Sequence, residues 1–154
     1  MDRHHKSPTT LRVARDEEPV TEPELAWSEP TQPERNANAN RRDATCDGAY
    51  AVALVCLERQ MNLVAVARAE DLTGADWYVA PAGKGTTEAG APNLDDPDLM
   101  RLEVGGHDDR PSLPHELKIK VHQLQAGKSS IPGIAVVVGF KKAQLVIRTN
   151  VLPG

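Results

Sequence analysis

Two acidic residues stand in stretches that otherwise read as β-strand. They are Asp76 in Ala75-Asp76-Trp77-Tyr78-Val79-Ala80 and Glu103 in Leu99-Met100-Arg101-Leu102-Glu103-Val104. A charged residue in a strand normally belongs to the solvated half of an alternating pattern, and both fit that description. If instead the two project toward a shared edge of a sheet, their charges repel, and a divalent cation is the usual means of keeping both ionised. Mg²⁺ suits such a site, since it takes hard oxygen ligands, often one or two carboxylates completed by water and phosphate. A metal held there activates water and stabilises charge in phosphodiester cleavage. Lys118, Lys120 and His122, expected on one side of a later helix with His115 and Lys141-Lys142 nearby, read as a phosphate-contacting face.

Other clusters carry less chemistry. His107-Asp108-Asp109 follows Gly105-Gly106 and reads as a solvated turn. Asp95-Asp96-Pro97-Asp98 lacks the twelve-residue spacing of a calcium-binding helix-loop-helix. Gly83-Lys84-Gly85-Thr86-Thr87 lacks the upstream glycine of a phosphate-binding loop. His4 and His5 have no further ligands beside them. No strained G-x-S-x-G turn presents a serine nucleophile, and Cys46 and Cys56 read as core residues. Ten residues apart on one expected helix, their α-carbons would be ~15 Å apart, too far for a disulfide. That spacing and the absence of an apolar leader after Met1 point to a reducing, cytoplasmic setting.

The elements that must position these residues follow from pattern. The chain has 154 residues, room for one ordinary domain, with 40% hydrophobic and 26% charged residues. A net charge of −4 argues against a cationic nucleic-acid coat, and 3% aromatics argue against a base-stacking platform. No run approaches the ~18 apolar residues of a membrane span. Residues 1–44 carry Pro8, Pro19, Pro23, Pro30 and Pro33 and the run Asn36-Ala37-Asn38-Ala39-Asn40, with scattered apolar residues. They read as a disordered tail, with Trp27 a candidate anchor.

Residues 45–154 read as a single domain. Thr45 is a candidate cap for a helix over 46–60, whose apolar positions include Cys46, Tyr50, Ala53, Leu57 and Met61. Strands are predicted over 63–69, 75–80 and 99–104, the last closed by Gly105-Gly106. Pro111 and Pro114 precede a second helix with Ser112 as cap, and Gly127 ends it. The continuous apolar run 134–140 reads as a strand buried on both faces, and 144–148 as the last strand. The expected architecture is an α/β (α+β) domain of order α-β-β-β-α-β-β, a mixed central sheet flanked by two helices.

This order resembles the core of the PD-(D/E)xK nuclease superfamily, whose restriction-endonuclease-like fold runs α-β-β-β-α-β. That core has an acidic residue on the second strand and an acidic-x-lysine element on the third. Asp76 matches the first acid and Glu103 the second, while Gly105 stands where the lysine would be. Some members carry the lysine on the following helix, where Lys118 and Lys120 stand; Glu58 takes the place of a first-helix glutamate, and Gln123 that of a second-helix glutamine. The resemblance covers roughly residues 46–149. It implies that Glu58, Asp76 and Glu103 hold Mg²⁺ or Mn²⁺, that Lys118 or Lys120 stabilises transition-state charge, and that Gln123 positions the site. It also implies a nucleic-acid substrate, and a chain this short is expected to dimerise or to join a larger complex.

The chain is also similar to a group of small bacterial proteins without an assigned activity. That similarity rests on Arg41-Arg42-Asp43-Ala44-Thr45-Cys46-Asp47-Gly48-Ala49-Tyr50, on 74–81 and on Arg101-Leu102-Glu103-Val104-Gly105-Gly106. The competing expectation is a non-catalytic interaction module or complex subunit, in which the acids are surface residues and the tail meets a partner.

Overall fold

A computed structural model of the chain describes residues 1–109 and 112–154. Its elements are β1 (Thr9–Thr10), β2 (Arg12–Arg15), β3 (Glu24–Leu25), α1 (Gln32–Ala37), α2 (Arg41–Met61), β4 (Leu63–Arg68), β5 (Trp77–Pro81), β6 (Met100–His107), α3 (Leu113–Ala126), β7 (Gly133–Gly139) and β8 (Gln144–Val151). Six strands form a mixed sheet in the order β2-β8-β7-β6-β5-β4. The β4/β5, β5/β6 and β7/β8 pairs are antiparallel, whereas β6/β7 and β2/β8 are parallel. The protein is therefore a mixed α+β fold.

The pleat of the strands divides the core in two. Leu102, Val104, Ile134, Val136, Val138, Leu145 and Ile147 face α2, which buries Ala49, Val52, Ala53, Cys56 and Leu57 against them. The alternate residues face α3, where Leu124 packs with Ala135 and Val151. Every residue of β7 is buried, as its unbroken apolar run predicts for a strand covered on both faces. No helix among the described residues is long and apolar enough to cross a membrane.

Four local expectations are corrected. Helix α2 begins at Arg41, because Asn40, not Thr45, caps it: the Asn40 side chain accepts from the Arg42 and Asp43 backbone N–H groups. Thr45 instead donates back to the Arg41 carbonyl. Cys46 is exposed, whereas Cys56 is buried and its thiol is pushed up to about 11 by that burial. The strand predicted to close at Gly105-Gly106 continues to His107, since both glycines pair in the parallel ladder with Val137 and Val138. Gly106 is also a close approach of α2: a Cβ there would lie 2.7 Å from the Ala49 Cβ. Ser112 precedes α3 without a side-chain capping bond, Pro114 sits in its first turn, and Pro111 lies outside the described residues.

The largest correction concerns residues 1–44, which belong to the fold. Strand β2 lies parallel beside β8, in register Arg12↔Gln144 to Arg15↔Ile147, and extends the sheet by one strand. Leu11 and Val13 are each 1% exposed and join the core under α2. The segment is stitched further by backbone pairs Leu11–Pro23 and Val13–Thr21, by the β1/β3 pair, and by Thr149 donating to Asp16. Two apolar residues are too short a run to announce a strand. The bonding edge of β8 supplies what local pattern lacks.

Candidate functional site

Asp76 stands immediately before β5, and its backbone extends the ladder by donating to the Leu102 carbonyl at 2.9 Å. The residue is thus carried beside Glu103, which follows Leu102 on β6. One Asp76 carboxylate oxygen accepts from the Tyr50 hydroxyl of α2 at 2.8 Å, and the other from the Val104 backbone N–H at 2.8 Å. Glu103 is 6% exposed on the α3 face of β6, where the Lys120 ammonium donates to it at 2.7 Å.

Burial pushes the Glu103 carboxyl up, to about 7. Lys120 pulls it down. The charge of Asp76, and the hydrogen bond the two carboxyls share when one is protonated, add to the rise. Glu103 therefore holds its proton close to neutrality. Tyr50 is pushed up to about 12, first by burial and then by donating to Asp76.

The sign of the resulting pH dependence is fixed. Glu103 binds its proton more tightly folded than unfolded, so its stabilising contribution is full below the ordinary carboxylate range and is lost as pH rises through about 7. The loss is on the order of 3 kcal/mol at most. Thermal midpoints measured from about pH 5 to about pH 8 will fall in the native protein and fall less in Glu103→Gln. Parallel slopes in the two proteins would place the titration elsewhere.

The lysine comes from α3, and the geometry explains the glycine on β6. A Cβ on Gly105 would lie 3.1 Å from Lys120 Cε and 3.6 Å from Lys120 Cγ. The aliphatic stem of Lys120 thus lies over Gly105, in the space a side chain two residues after Glu103 would occupy. Lys118 is exposed and is not brought to the site. Residues two apart on a helix differ by about 200° in direction, so Lys118 and His122 share one side of α3 and Lys120 faces another. Gln123 is one turn beyond Lys120 on the same side, exposed, with its carbonyl against the Gly74 backbone and no side-chain bond to either acid. Glu58 is exposed and stands eight residues beyond Tyr50, about 12 Å further along α2. The structure therefore joins Asp76, Glu103 and Lys120, and leaves Glu58 and Lys118 apart from them.

Tyr50, a core position by its helical spacing, reaches Asp76, and Arg101 also belongs to the surroundings of the acids. Arg101 is fully buried on the same face of β6 as Glu103, and its guanidinium donates to the carbonyls of Ile131, Thr73 and Leu124. It ties the loop leading into Asp76 to the C-terminal end of α3. The i, i+2 spacing of Arg101 and Glu103 within an apolar strand was the signal that both face one way. Further along that face His107 meets Glu116 of α3 at 3.2 Å. Asp108, read as solvating a turn, gathers His4, Arg3 and Arg41; partial burial raises its carboxyl, and the contacts with His4 and Arg41 outweigh that and hold it below the usual range. Asp96 accepts from the Gly85 and Asp98 backbones and so closes the loop after β5.

Among the described residues no group of three or more His, Cys, Asp or Glu side chains is arranged to hold a metal. The pair Asp76 and Glu103 matches the one or two carboxylates that Mg²⁺ takes when water and phosphate supply the rest. No family model, curated protein or solved structure matches the chain.

Proposed function

We propose that the chain is a metal-dependent phosphodiesterase of the PD-(D/E)xK nuclease-like, restriction-endonuclease-like type, acting on nucleic acid. The run α2-β4-β5-β6-α3-β7 supports it: two antiparallel strand pairs are followed by a parallel one, with Asp76 immediately before β5 and Glu103 on β6. The observation that carries the reading is Lys120 reaching across Gly105 to Glu103. In this reading the Lys120 ammonium beside Glu103 takes the part of the lysine in the acidic-x-lysine element.

In this reading Asp76 and Glu103 hold Mg²⁺ or Mn²⁺, which would supply an activated water and offset negative charge at phosphorus. Tyr50 and the Val104 N–H fix the orientation of Asp76. Lys120 keeps a point charge beside Glu103, where it can meet a phosphoryl oxygen. The proton that Glu103 holds has to leave before both carboxylates serve a cation. The two free cysteines on one helix accord with a cytoplasmic setting.

The test is Mg²⁺- and Mn²⁺-dependent cleavage of end-labelled DNA and RNA, single- and double-stranded. Asp76→Asn and Glu103→Gln are each expected to lose about 100-fold or more while keeping a cooperative melt. Equal cleavage by the double variant would overturn the assignment. No cleavage by the native protein on any substrate would return the chain to the reading as a non-catalytic interaction module.

A further inference from the structure

We infer that Arg68 is the substrate-binding cation of this site and takes a backbone phosphate of the polynucleotide strand next to the acid pair. The inference rests on the nuclease reading above and deepens it. Arg68 is the last residue of β4, directly opposite Trp77 in the antiparallel register, and Trp77 follows Asp76. Its guanidinium carbon lies 4.1 Å from the Trp77 ring centroid and 4.5 Å from that of Tyr50. Those two rings meet edge to face at 6.2 Å, and the Tyr50 hydroxyl reaches Asp76. One aromatic residue therefore separates Arg68 from the first acid.

The way Arg68 is held decides what it can do. A guanidinium carbon held over aromatic faces still carries its N–H donors in the guanidinium plane. The Arg68 charge, 4.5 Å from the Tyr50 ring centroid, pulls the Tyr50 hydroxyl's proton affinity down against the rise from burial. The arginine ion pairs among the described residues go to Arg3, Arg15, Arg35, Arg41 and Arg148, and none engages Arg68. Arg68 is thus exposed, oriented by two rings and unmatched by a carboxylate. A planar donor fork in that state fits a phosphate in two-pronged geometry. A long cation that only decorated the surface would not need two aromatic faces to hold it beside the acids.

The experiment measures binding of a fluorescein-labelled oligonucleotide, single- and double-stranded, across a salt series with Mg²⁺ present. The background is Asp76→Asn, so that binding is read without turnover. Adding Arg68→Ala is expected to weaken binding about three- to tenfold near physiological salt and to reduce the slope of log K against log salt by ~1. Adding Arg68→Lys keeps the charge and is expected to keep the slope. Native and Arg68→Ala proteins are compared in parallel for cleavage of the same oligonucleotides. Cleavage by both with the same KM and an unchanged salt slope overturns the inference and leaves the nuclease reading standing. A lowered thermal midpoint with unaltered binding also overturns it, since Arg68 would then only brace the two rings. Salt-sensitive binding through Arg68 with no cleavage by the native protein supports the inference and overturns the catalytic reading.

Discussion

Lys120→Ala will cost about 10²- to 10³-fold in Mg²⁺-dependent cleavage, and the double variant Gly105→Lys/Lys120→Ala will recover a large part of it. The first half follows from position. Among the described residues Lys120 is the one lysine whose ammonium touches the acid pair, at 2.7 Å from Glu103. The second half follows from space. The Lys120 stem lies within 3.1 Å of where a Gly105 Cβ would be, so truncating that stem vacates the volume a side chain at 105 needs. Gly105 has no positive φ, so its backbone accepts a side chain without strain. Alternation along β6 puts position 105 on the same face as Glu103, and a lysine introduced there starts two residues from its partner. Gly105→Lys alone should behave worse than the double variant, because two stems would compete for one channel. Lys118→Ala, on the exposed side of α3, is the control and should leave cleavage unchanged. The assay is single-turnover cleavage with melts on each variant. A folded Lys120→Ala with full activity would remove lysine from the mechanism. A folded but inactive double variant would mean that the charge must approach from α3.

The parts of this arrangement legible in the sequence are those fixed by local period. An apolar run without interruption marked β7, and charges inside apolar strands marked Asp76 and Glu103. Phase along a helix separates Lys120 from Lys118. Both stand in a stretch of mixed charge, and only the packing of Leu113 and Leu124 on the sheet fixes which side faces Glu103. Glu58 was assigned by resemblance, yet the residue of α2 level with the acids is Tyr50, because the helix crosses the sheet at Ala49 over Gly106. Gly105-Gly106 reads locally as a break. Only the parallel ladder to Val137 and Val138, formed after α3 returns the chain, makes it strand. What the sequence withheld was long-range in each case: the partner that turns an ambiguous segment into an element lies far along the chain.

That reasoning applies most strongly to the N-terminal segment, and it gives the largest expected effect on stability. A chain lacking residues 1–40 will melt at least about 10 °C lower than the full chain, or will not fold cooperatively. Leu11 and Val13 are each 1% exposed, and burying such side chains contributes about 1.5–3 kcal/mol apiece. Their loss alone is a large part of the 5–15 kcal/mol that typically separates folded from unfolded domains. The deletion also strips β2 from β8 and leaves the Gln144–Ile147 stretch as an open edge, a template for pairing between molecules. It removes the N-cap of α2, about 1 kcal/mol more, since Asn40 makes that cap. Point variants separate core packing from the rest. Leu11→Ala should cost about 2–5 kcal/mol in urea titration, and Val20→Ala, exposed in the same segment, no more than about 0.5 kcal/mol. A truncated chain with an unchanged midpoint would return residues 1–40 to the status of a tail. Equal effects of Leu11→Ala and Val20→Ala would do the same for β2, because only a segment that truly adds a strand distinguishes the residue facing α2 from the one facing water.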